Sequence, residues 1–136
     1  MVKGILADIN ISGPIDDLVR QMQKEPWDEF WNYLGLTLFH FQELGLTPTS
    51  SDLDIWQACQ TNYLVLITNN RNARSSDSLE VAIQQHNRPD CLPVFTVGNL
   101  DRFRKNRDYA DRVLRKLYDY LMRIDDVRGT GRLYLP

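Results

Sequence analysis

Apolar residues recur along this chain in two rhythms, short continuous runs and the three/four spacing of a helix face. Residues 4–9 (Gly-Ile-Leu-Ala-Asp-Ile) form the first run and read as a buried strand. Gly13-Pro14 punctuates, and Pro14 suits the first turn of a helix whose face is Ile15, Leu18, Val19 and Met22. Pro26 stops that helix. Trp27, Phe30, Trp31 and Leu34 make a second helical face, closed by Gly35. Residues 36–41 alternate, with Leu36, Leu38 and His40 against Thr37, Phe39 and Phe41, which predicts a second strand.

A loop containing Pro48 leads to a helix starting near Ser51 or Asp52, with Leu53, Ile55, Trp56 and Cys59 on it. Residues 63–68 (Tyr-Leu-Val-Leu-Ile-Thr) are the clearest strand, and their continuous apolar character suits a strand covered on both faces. A polar loop follows over 69–76, then a helix over about 77–85 and a strand over 93–97. The last predicted helix is long, about 100–124, interrupted near Lys105, with Ala110, Leu114, Leu117, Leu121 and Ile124 on one face. The tail, with Gly129, Gly131 and Pro136, is expected to be loosely held.

Strands alternating with helices predict an α/β fold, a three-layer sandwich around a central, mostly parallel sheet of four or five strands. Right-handed crossovers then place the strand C-termini along one edge, where open α/β sheets bind ligands. The 136 residues correspond to one domain spanning 1–136. A composition of 43% hydrophobic and 25% charged residues excludes disordered and collagen-like chains. No apolar run approaches the roughly 20 residues of a membrane helix. The start of the chain lacks a signal-peptide pattern, so the cytoplasm is the expected compartment. Cys59 and Cys91 lie far apart without metal-ligand spacing and read as buried apolar groups.

Charge changes the picture once the chain is divided. Residues 1–68 hold three Lys/Arg against nine Asp/Glu, a net of −6; residues 69–136 hold thirteen against nine, a net of +4. One reading is a cation-binding cluster beside an anion-attracting face; the other is two ordinary solvated surfaces. Asp8 sits inside an apolar run, where an unpaired charge is costly and a strand offers no helix cap. Asp52 and Asp54 open the third helix, Asp77 and Glu80 the fourth, and Thr68, Asn69, Asn70 and Asn72 follow the third strand. Capping is an equal reading of Asp54 and Asp77, since Ser51-x-x-Asp54 and Asp77-x-x-Glu80 resemble capping boxes. The asparagines equally suit turns. His40 and His86 read as structural. No Gly-rich phosphate loop or G-x-S-x-G nucleophile elbow is present. The run Arg102, Arg104, Lys105, Arg107 suits either phosphate binding or a solvated helix start.

Three phrases together resemble the PIN-like family: Leu-Ala-Asp-Ile-Asn (6–10), Ser-Asp-Leu-Asp-Ile-Trp-Gln-Ala-Cys (51–59) and Val-Leu-Ile-Thr-Asn-Asn-Arg-Asn (65–72). The resemblance implies an α/β sandwich. It also implies a metal-dependent ribonuclease of the kind found among the toxins of toxin–antitoxin pairs, with acids binding Mg²⁺ or Mn²⁺ and activating water. Carried over by position, Asp8 matches the first-strand acid, and Asp54 the acid opening the helix before the third strand, with Asp52 as a close substitute. Asn70 and Asn72 stand where many relatives have acids. Asp77 is the candidate to replace a missing acid, and Glu43 a further one.

Two functions follow. In the first, Asp8, Asp54 and Asp77 hold Mg²⁺ or Mn²⁺ and Asn70 positions water or metal. Thr68, Asn69, Arg71, Asn72 and Arg74 then meet an RNA substrate. In the second, the Asn substitutions leave a degenerate PIN-like domain that binds a protein or nucleic acid. An antitoxin-like partner is implied by the same resemblance, no membrane is expected, and the last helix serves either the core or a homodimer.

Overall fold

The computed structural model describes residues 1–72 and 74–136; of the loop expected over 69–76, Ala73 lies outside them. Five strands form one all-parallel sheet, β1 (Gly4–Ala7), β2 (Thr37–Phe39), β3 (Leu64–Thr68), β4 (Val94–Val97) and β5 (Arg132–Leu135), in the order β2-β1-β3-β4-β5. The α-helices are α1 (Ser12–Met22), α2 (Asp28–Leu34), α3 (Asp52–Thr61), α4 (Leu79–His86), α5 (Leu100–Lys105), α6 (Arg107–Met122) and α7 (Ile124–Val127).

Alternation along the strands divides the interior into two cores, which is what makes three layers. Ile5, Ala7, Val65, Ile67, Phe95, Val97 and Leu135 join α1 and α6 in one core. Leu6, Leu64, Leu66 and Val94 join Ile55, Trp56 and Cys59 of α3 and Leu79 and Ile83 of α4 in the other. Burying each such aliphatic side chain contributes roughly 1.5–3 kcal/mol. On the first face, Tyr118 of α6 donates to the Met22 carbonyl (2.8 Å) and stacks on Trp27 at 5.7 Å, so α6 clamps the α1–α2 connection. Gly4 is required by proximity, because a Cβ there would collide with the Thr37 carbonyl oxygen of β2.

Several boundaries differ from the sequence expectation, each for a local reason. The first strand ends at Ala7 rather than residue 9, because Asp8 caps a 3-10 turn over Ile9–Ile11 by accepting from the Asn10 N–H (3.1 Å). The second strand covers Thr37–Phe39 within the expected 36–41, since His40 begins another 3-10 turn, Phe41–Leu44. The fourth strand is Val94–Val97. Helix α4 starts at Leu79, with Ser78 and not Asp77 as its cap: Ser78 Oγ accepts from the Val81 N–H (3.2 Å). The interruption expected near Lys105 is present: Asn106 ends α5 and caps α6 by accepting from the Tyr109 N–H (2.9 Å).

The tail is the main correction. It is a strand, pairing with β4 from Val94↔Arg132 to Val97↔Leu135. Among the described residues no helix is long and apolar enough to cross a membrane.

Leu135 is 1% exposed, so Leu135→Ala is expected to cost about 2–5 kcal/mol in urea unfolding. A change below about 0.5 kcal/mol, the range of a surface substitution, would show that β5 does not close the core.

Candidate functional site

The parallel arrangement brings the C-terminal ends of β1, β3 and β4 to one rim, and three of its groups share the α3–α4 face. Asp8 follows Leu6 in the alternation, Thr68 follows Leu66, and Thr96 follows Val94. Asp8, Thr68 and Thr96 are all buried. A buried carboxylate needs donors, and Asp8 has them: Asn10 N–H on Oδ1, and the Thr68 hydroxyl on Oδ2 at 2.6 Å. The Thr68 oxygen in turn accepts from the Asn70 N–H (3.0 Å), and the Asn70 amide donates to Asp52 Oδ2 (3.3 Å). Asp8 and Asp52 are therefore joined through two neutral residues.

The bridge continues to the far edge of the sheet. Arg132 of β5 donates through Nη1 to the Asn70 carbonyl (2.8 Å) and to Thr96 Oγ1 (2.7 Å), and through Nε to Glu80 Oε2 of α4 (3.0 Å). Its side chain is 7% exposed. Sequence reasoning does not find Arg132, although the alternation Arg-Leu-Tyr-Leu in the tail is a strand signal.

Beyond Asn70 the chain turns on its own side chains, with Asn70 Oδ1 accepting from Asn72 N–H and Asn72 Oδ1 from Arg74 N–H, both at 3.0 Å. Asn72 and Arg74 are exposed and Asn69 is half-buried. Arg71 is exposed and lines two depressions, one of about 380 Å³ with Asn69, Asn99 and Asp101, the other of about 620 Å³ with Glu80, Asn87 and Tyr134.

The other expected acids stand apart from this bridge. Asp54 is exposed, and its N–H is the one capped by Ser51 Oγ (3.0 Å). Asp77 is exposed and accepts from the Ser75 hydroxyl. Glu43 accepts from the His40 N–H (2.9 Å). Among the described residues no group of three or more His, Cys, Asp or Glu is placed to hold a metal ion, so Asp8, Asp54 and Asp77 do not form the expected triad. Two cations about 4 Å apart need clustered negative charge, and the donor set of two carboxylates, a hydroxyl and an amide does not fit such a centre.

His40 lies at the end of β2 with Asp16 on Nε2 (2.7 Å) and Glu43 on Nδ1 (3.3 Å). The Asp16 hydrogen bond chiefly, opposed by partial burial and aided by Glu43, raises its pKa above the ordinary 6.5. Cys59 of α3 has its thiol pushed up by burial and, less, by the Asp8 charge, so it stays protonated and is no nucleophile.

The bridge has a testable energetic consequence. Thr68→Val removes the hydroxyl and leaves a buried carboxylate short of a donor. It is expected to cost roughly 1–3 kcal/mol in urea unfolding, with Thr68→Ser recovering most of that stability. Equal stability of the Val and Ser variants would show that the hydroxyl carries no such role.

Comparison of the chain with known proteins finds no family model, no curated protein and no solved structure that matches it.

Proposed function

We propose that this chain is a PIN-like module that binds RNA along the sheet rim without hydrolysing it. The observation that carries the reading is the neutral bridge Asp8–Thr68–Asn70–Asp52, which puts a hydroxyl and an amide between the two rim carboxylates. The PIN-like assignment is supported by position: three phrases far apart in sequence, 6–10, 51–59 and 65–72, each contribute residues that meet there. Affinity for RNA is supported by the exposed Arg71 and Arg74 and by the amides of Asn69 and Asn72, groups of the kind that bind phosphates.

The metal-dependent ribonuclease reading keeps one specific support. Asp8 and Asp52 are two carboxylates on one hydrogen-bonded chain, and a single Mg²⁺ or Mn²⁺ is commonly held by one or two carboxylates with water and substrate phosphate.

Labelled single-stranded RNA, incubated with the protein with and without millimolar Mn²⁺, separates the two. The expected result is binding that leaves the RNA intact in both conditions. Replacing Arg71 and Arg74 by Ala should weaken it and flatten the salt dependence by about 0.7 for each phosphate no longer neutralised. Mn²⁺-dependent cleavage that disappears in Asp8→Asn would overturn this conclusion in favour of the ribonuclease.

A further inference from the structure

The cations of the second half of the chain are not evenly neutralised. Along α6, Arg115 and Arg123 are paired with Asp111 (2.8 Å) and Asp119 (3.0 Å). At the α5–α6 corner, among the described residues, no ion pair joins Arg102, Arg104, Lys105, Arg107 or Arg112. Residues 102–107 contain four cations and no acid. Asp101 and Asp108 flank them in the first turns of α5 and α6, where the helix dipole favours acids.

The corner is held in shape by Tyr109. Its buried ring is approached by two guanidiniums, Arg102 at 4.8 Å and Arg112 at 5.4 Å from the centroid. Arg104, Lys105 and Arg107 line a groove of about 690 Å³ between this corner and α1. Arg20, Asp16 and Asp17 also line it, so the lining carries four cations, Arg20, Arg104, Lys105 and Arg107, against two acids. The groove therefore presents uncompensated positive charge.

The groove and the rim share a wall. Helix α5 leaves the rim directly after β4; Leu100 and Asp101 line the depression that holds Asn69 and Arg71, and Phe103, Arg104 and Lys105 line the groove. Six helical residues span about 9 Å. We propose that the α5–α6 corner is a second docking surface, gripping the phosphate backbone of the same RNA strand that lies on the rim; this rests on the RNA-binding reading above. A lipid surface fits less well, since membrane-binding helices present apolar side chains beside their cations. Here Phe103 and Tyr109 are turned into the core.

The test is fluorescence anisotropy of a labelled oligouridylate against the full chain over a range of salt. Replacing Arg104 and Arg107 by Gln should weaken binding and reduce the slope of log Kd against log salt by about 1.4, two phosphates at about 0.7 each on a single strand. The same charge change at the paired Arg115 and Arg123 should leave the slope unaltered. Replacing Arg104 and Arg107 by Lys should keep it, which separates charge from folding. If the Gln pair at the corner binds like wild type while removal of Arg71 and Arg74 weakens binding, the corner proposal falls and the rim stands. If only the corner variant weakens binding, the strand lies on the corner alone, which overturns both the rim reading and the proposal that one strand spans the two. Wild-type protein that ignores the RNA, or that takes polyglutamate or phosphatidylserine vesicles as tightly, overturns the corner proposal.

Discussion

A carboxylate buried at the end of β1, beside the central strand β3, sets the terms for the rim. Asp8 is 9% exposed, and a charge so placed is tolerated only with donors on both oxygens. The Thr68 hydroxyl is one of them, and because it also accepts from Asn70 N–H, the chain leaving β3 is drawn into a defined turn. That turn delivers the Asn70 amide to Asp52 on α3 and its carbonyl to Arg132 on β5. Arg132 then ties Thr96 of β4 and Glu80 of α4 into the same network. One buried charge thus couples four strands and two helices. Breaking Thr68, an internal member, leaves Asp8 buried and short of a donor.

Much of this fold is legible in the sequence, and the gaps have physical causes. Continuous apolar runs mark β1, β3 and β4 because each is covered on both faces, and Ser51 before Asp52 marks the start of α3. The tail reads as loose because of its glycines, whereas a short strand such as β5 gains its stability from pairing with β4, a distant segment. Asp8 reads as a strand residue with nothing to cap, yet it caps a 3-10 turn and binds Thr68 at once. The sequence shows two acids in the first turn of α3, separated by about 200° around the axis, but not which one faces the rim. The structure turns Asp52 toward Asn70 and leaves Asp54 in solvent. Arg132 lies 62 residues from the Asn70 carbonyl it holds, and no local pattern announces an interaction of that range.

The chemistry follows from the same arrangement of charge. At this rim Asp8 and Asp52 accept hydrogen bonds from a hydroxyl and an amide, and Glu80 accepts from Arg132. Among the described residues, no ion pair joins the cations of the exposed loop after β3 or of the α5–α6 corner. Surface cations left unpaired beside a concave path add a field that attracts phosphate chains and raises their local concentration. Of the thirteen cations in the basic half, Arg71 and Arg74 fall in the loop after β3, and Arg102, Arg104, Lys105 and Arg107 at the α5–α6 corner.

The most direct test of the central claim is a map of where RNA touches the protein. A ¹⁵N-labelled sample titrated with a short oligouridylate should show amide shifts concentrated at residues 68–72, at Asn99 and along 102–107, with the opposite end of the sheet, around Leu36 and Met122, unmoved. Shifts confined to that opposite end, or none at low salt, would contradict the account.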